Sequence, residues 1–196
     1  MLTIPSIWLA LGMLLAAPAK DKEVTRWKVS TESVVEILGS TNVNEFECKS
    51  ISYQGQDYLL ETFYPDRNQV EWTGEIVLSS GNFDCFNKLM TRDFYQTVKG
   101  DEHPEIRVRF LDLVRENRNS SHETLSGNVE ITLAGVSRRF PITCGLISSK
   151  NGKAVLNGVQ TVTFSEFQID PPVKFFGTVK VQNAISVQFG LVLEEA

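Results

Sequence analysis

Apolar and polar residues alternate with period two along most of this chain. In TLSGNVEITL, Leu125, Val129, Ile131 and Leu133 fall on one face, with Gly127 in the same register. After a tight turn at Ala134-Gly135, VSRRFPITC continues with Val136, Phe140, Ile142 and Cys144. VEWTGEIVL groups Val70, Trp72, Ile76 and Leu78, and EIRVRFLDLVR sets Ile106, Val108 and Phe110 against Arg107 and Arg109. Near the C-terminus, Val179, Val181, Ile185, Val187, Phe189, Leu191 and Leu193 share a face that only Asn183 interrupts. This pattern predicts one long strand over 179–193. Strict alternation marks strands with one buried face. Further strands are expected around Trp27 and Val29, on both sides of a turn at 39–42, over 57–64 and over 154–164. Asn151-Gly152 is a short-turn signal, and 116–123 reads as a polar loop.

One stretch breaks the period. In GNFDCFNKLMTRDFYQTVKG, residues 81–100, Phe83, Phe86, Met90, Phe94 and Val98 are spaced by three and four. That is the spacing of an amphipathic helix. Asn82, Asp84 and Asn87 offer caps near its start and Gly100 can end it, so a helix is expected over about 87–98. Long strands joined by short connections describe an antiparallel meander. About eight of them suffice to close a barrel, which removes exposed edges and encloses at most one small ligand. The expected fold is all-β: a single eight-stranded antiparallel, lipocalin-like barrel with the helix packed at its mouth or wall.

The N-terminus differs in kind. MLTIPSIWLALGMLLAAPAK has no charged side chain before Lys20, an apolar run over 7–16 and small residues at Ala17 and Ala19. Residues 1–19 therefore read as a secretory signal peptide, leaving a domain over 20–196. The run is shorter than the ~20 residues of a membrane span, so no stable span is expected after cleavage. The destination is the periplasm or the exterior. A net charge of −5 with no basic run argues against a nucleic-acid partner.

The search for reactive chemistry is negative. His103 and His122 sit in polar segments and read as solvated. No nucleophile, metal-binding or phosphate-cradling motif occurs, so no enzyme, metal or cofactor is expected. Asn119-Ser120-Ser121 fits a glycosylation sequon. Arg138-Arg139 reads as a solvated strand start in preference to a headgroup clamp. The three cysteines, Cys48, Cys85 and Cys144, are separated by 37 and 59 residues and match no zinc pattern. Spacing does not choose among the three possible pairs. If a disulfide forms, Cys48–Cys85 is expected, because both lie near turns while Cys144 alternates with Phe140 and Ile142 as a wall residue. The strongest signal is apolar. Trp72, Ile76, Phe110, Val129, Ile131, Val187 and Phe189 are the candidate lining of an internal cavity, with Phe94 at its mouth.

The C-terminal half resembles the YceI-like family of lipid- or polyisoprenoid-binding proteins of bacterial envelopes. The pieces that carry the resemblance are GNVEITLAGVSRRFPI at 127–142, TVTFSEFQIDPP at 161–172 and NAISVQFGLVLE at 183–194. Upstream, Asn87, Met90, Asp93, Phe94 and Pro104 fit the family's helix-then-strand segment. Two departures stand out. Ala134 replaces a His found in many members before the Gly-Val turn, and 39–50 looks like a cysteine-bearing variant. The resemblance implies a periplasmic barrel that holds an isoprenoid-type or other lipid chain, with the helix as a lid. Its alternative is an envelope interaction or stress-response protein whose barrel is filled by its own side chains.

Overall fold

The computed structural model describes residues 21–51, 53, 55–115, 122–148 and 152–196. The expected signal segment and the sequon at 119–121 lie outside the described residues. In chain order the strands are β1 (Glu23–Val29), β2 (Val34–Ser40), β3 (Glu45–Ser50), β4 (Tyr58–Tyr64), β5 (Gln69–Ser79), β6 (Phe83–Asp84), β7 (Glu105–Arg115), β8 (His122–Leu133), β9 (Val136–Ser148), β10 (Lys153–Thr163), β11 (Val173–Lys174), β12 (Val179–Lys180) and β13 (Ala184–Glu195). Helix α1 (Lys88–Thr97) lies between β6 and β7.

Eight of these strands form a closed antiparallel ring in the order β1-β4-β5-β7-β8-β9-β10-β13. Closure comes from the two ends of the chain: Val29 pairs with Leu193 and Trp27 with Glu195. The same edge of β13 also holds β2, through Ser186–Gly190, and β3 and β6 extend the sheet from there. All named pairings are antiparallel, as expected for short connections. Leu133 and Val136 close the β8–β9 hairpin. Both intervening residues, Ala134 and Gly135, have positive φ (50° and 78°), the geometry that matches strand twist in a two-residue turn.

Three expectations change. The final strand begins at Ala184, and Val179 and Val181 belong to a separate hairpin region. Asn183 explains the break: its amide Nδ2 donates to Ser165 Oγ and its Oδ1 accepts from the Ser165 N–H, fastening it to a 3-10 turn at Phe164–Phe167. The helix begins at Lys88, so Phe83 lies in β6, buried, while Phe86 is left in solvent at 70% exposure. His122 opens β8 and is not part of a loop.

The barrel interior divides into two halves. At the end opposite α1, Trp72, Leu59, Leu113, Leu125, Leu146, Leu156, Leu191 and Leu193 are essentially without solvent exposure. They meet across the ladder, Trp72 opposite Leu113 and Leu156 opposite both Leu146 and Leu191. Trp72 stacks on Trp27 with ring centroids 5.6 Å apart. A polar network rims this end: Trp27 Nε1 donates to Glu61 (2.9 Å), and Arg115 pairs with Glu61 (3.0 Å) and Glu123 (2.5 Å). At the α1 end β9 and β10 separate. They pair only through Cys144–Ser148 and Ala154–Gly158. The 3-10 turn packs beside β9 there, with Phe167 fully buried and its ring 6.1 Å from that of Phe140.

Candidate functional site

The α1 half of the barrel is hollow. A cavity of about 100 Å³ is lined by inward residues of several strands, among them Ile76, Phe110, Val129, Ile131, Val187 and Phe189, with Phe94 of α1 above them. These are seven of the eight residues that the sequence pattern singled out, Phe94 by helical spacing and the others by alternation. Trp72 is the eighth, and it does not reach the cavity. It belongs to the filled half, because alternation gives the face of a strand but not the height along the barrel. The lining also includes residues that the sequence reading did not select, notably Val35, Ile37, Phe46, Phe83, Phe164 and Phe167. Gly39 held the clue to Phe46. A Cβ there would sit 2.2 Å from the Phe46 ring, so only glycine leaves that ring its place. Gly158 does the same for Phe189, at 2.6 Å. Gln160 is the one polar residue of the wall among the described residues, and it turns its Nε2 to the Thr161 carbonyl at 2.9 Å.

Next to the cavity, outside the barrel, lies a groove of about 360 Å³. Phe46, Phe94 and Phe164 line both spaces and form the boundary between them. Three segments build the groove: the β2–β3 turn, α1 and the β11–β12 hairpin. Asn87 starts α1 by accepting hydrogen bonds from the Leu89 and Met90 N–H groups at 3.0 and 3.2 Å. Phe94 packs on Phe83 with centroids 5.3 Å apart. Three ties hold the segments together. Asn42 bonds the hairpin at Thr178 and Lys180 (2.9 and 2.8 Å), Lys174 pairs with Asp93 (2.9 Å), and Cys48 is disulfide-bonded to Cys85. The structure thus makes the expected cysteine pair and leaves Cys144 free and buried. Burial pushes the Cys144 thiol up to about 12, so it carries no thiolate.

The polar candidates are not drawn together. Arg139 and Arg109 both pair with Glu130 on the outer face, and their hydrogen bonds, Arg109 first, hold that carboxyl below its usual range. Arg138 is exposed at the rim, with Nη1 on the Ser137 carbonyl. His103 packs against Gly135. Near β3, Tyr53 donates to Asp57, and burial raises its hydroxyl far above the ordinary value. No group of three His, Cys, Asp or Glu among the described residues has the geometry of a metal site. Nor, among them, is any helix long and apolar enough to cross a membrane.

No family model and no curated protein matches the chain by sequence. Solved structures do match in three dimensions. BcnA of Burkholderia cenocepacia superposes with a TM-score of 0.62 at 14% identity, over 84% of this chain and 98% of that one. A polyisoprenoid binding domain from Saccharophagus degradans, implicated in plant cell wall breakdown, gives 0.58 at 8% identity, over 89% and 100%. A mutant Campylobacter jejuni YceI protein gives 0.51 at 10% identity, over 98% of this chain and 93% of that one. The chain has the YceI-type fold. The YceI-type barrel is common to all of this despite the low identities, which is possible because a barrel needs alternation and turn chemistry more than particular residues.

Proposed function

We propose that this protein is a non-catalytic, periplasmic member of the YceI-like family. It carries a lipid or polyisoprenoid-type amphiphile, with the apolar chain in the hollow half of the barrel. One observation carries the reading: an apolar cavity inside the barrel that meets an external groove at three phenylalanines. The likeness to a polyisoprenoid binding domain supports the same class of ligand. The physical drive is burial of methylene groups, each contributing about 0.8 kcal/mol.

The cavity volume favours a second reading. Pockets that enclose small molecules span about 300–1,000 Å³, and this one holds about 100 Å³. In the carrier reading Phe46, Phe94 and Phe164 swing outward, joining the cavity to the groove when a chain enters. In the alternative the barrel is simply filled by its own side chains and serves an envelope interaction or stress response. Val187→Trp separates them. For a carrier, the indole occupies the chain's place, organic extraction followed by mass spectrometry finds lipid only on the wild type, and stability without ligand changes little. For a filled barrel, overpacking costs about 1–3 kcal/mol and neither protein yields lipid, which overturns the proposal.

A further inference from the structure

Eleven large apolar residues are exposed among the described residues, and six of them crowd the groove end of the barrel. Val43 stands on the β2–β3 turn, Phe86 and Leu89 at the start of α1, and Val173, Phe175 and Phe176 on the hairpin. Val43, Leu89 and Phe175 line one groove, which places the three segments side by side. Phe176 is fully exposed and Phe86 and Phe175 are about 70% exposed. All three phenylalanines also have left-handed backbone, with φ of 58°, 51° and 54° for Phe86, Phe175 and Phe176. A bulky residue in that conformation is disfavoured, and all three rings are exposed.

The charges beside these rings select the partner. Lys88, Arg92 and Lys180 are exposed and make no ion pair among the described residues. Of the carboxylates on these segments, Asp93 is paired with Lys174, Asp84 accepts from Thr91 and the Phe86 N–H, and Glu45 and Glu47 on β3 and Asp170 ahead of the hairpin are exposed with no ion pair among the described residues. The cations are the charges set closest to the apolar tips along the chain: Lys88 lies between Phe86 and Leu89, and Lys180 is on the same hairpin as Phe175 and Phe176. Asp101, Glu102 and Glu105 lie past the C-terminal end of α1, about 15 Å from its start at 1.5 Å per residue over its 10 residues.

We propose that the groove end docks on the surface of an anionic lipid bilayer. Phe86, Phe175 and Phe176 enter the interface while Lys88, Arg92 and Lys180 meet headgroup phosphates. This is the apolar-plus-basic combination that holds peripheral proteins at membranes. The acidic loop at 101–105 tilts the barrel so that the groove side faces the lipid. Docking is independent of what the barrel holds, but it would seat Phe46, Phe94 and Phe164 over the bilayer.

The test is flotation with phosphatidylcholine vesicles with or without phosphatidylglycerol, at low and high salt. The expected result is binding to the anionic vesicles that weakens with salt. Phe175→Ser/Phe176→Ser should weaken it roughly tenfold or more, with an unchanged melting temperature since both side chains are exposed. Lys88→Ser/Lys180→Ser should remove the preference for phosphatidylglycerol. The control Val24→Ser/Val159→Ser, which alters exposed apolar residues elsewhere on the barrel, should bind as wild type. Absence of wild-type binding, equal binding by the phenylalanine variant, or equal loss in the control overturns the proposal. So does a wild type that is a dimer in sedimentation and becomes monomeric in the phenylalanine variant without having bound vesicles, since the patch then joins two copies of this chain.

Discussion

Breaking the Cys48–Cys85 bond should cost much of the protein's stability, and the size of that loss follows from the chain. The bond joins residues 37 apart, closing a loop that contains β4 and β5. In the loop-entropy account, a loop of that length removes about 13 cal/mol/K from the unfolded chain, or about 3.8 kcal/mol at 25 °C. Domains are stable by only about 5–15 kcal/mol, so the bond accounts for a large fraction. The loss should also be felt at the groove, because Cys85 leads into α1 and its N–H donates to Thr91 Oγ1 at 3.0 Å. Two comparisons measure it by urea unfolding: oxidised against reduced wild type, and wild type against Cys48→Ala/Cys85→Ala. With a slope of about 2 kcal/mol/M, the midpoint should fall by roughly 2 M. Thiol counting on the denatured, non-reduced wild type should find one thiol, that of Cys144. One thiol together with a midpoint shift below about 0.5 M would refute the reasoning, since the bond would then exist without constraining the unfolded chain.

Two further outcomes follow from local contacts. Asn87→Ala removes the cap that accepts from Leu89 and Met90 and should cost about 1 kcal/mol, with faster hydrogen exchange confined to 88–97; unchanged exchange there would mean the helix is held by packing alone. Burial raises the Cys144 thiol from 9.0 to about 12, so between those values the unfolded chain loses a proton that the folded one keeps. Stability should therefore fall with rising pH in that window relative to Cys144→Ala, by up to about 1.4 kcal/mol per pH unit, and parallel pH profiles would contradict the burial argument.

Much of the barrel was legible because alternation and burial are the same fact seen twice. Ile131 and Val187 point inward where period two puts them, and helix α1 follows from three-and-four spacing plus Asn87. What was illegible depends on distance along the chain. The pairing of Trp27 with Glu195 leaves no local trace, yet it closes the ring. The height of a residue along the barrel leaves none either, which is why alternation groups Trp72 with the cavity residues although it stacks on Trp27 in the filled half. Phe86 misled through its spacing: it continues the helical stripe, but Asn87 starts the helix one residue later and strands the ring in solvent. Asn183 was visible as an interruption, but its meaning required Ser165, eighteen residues away.

The division of the interior has a directional consequence. With Trp72, Leu113, Leu156 and Leu191 stopping the far end, the hollow is a blind alley. Whatever slides in must slide out the way it came. A molecule with one polar end would enter tail foremost and leave head foremost, its head always left at the doorway. The floor would also act as a gauge, admitting only a fixed depth of chain and leaving any surplus length to lie in the groove. Sorting by length would then need no recognition of the tail at all.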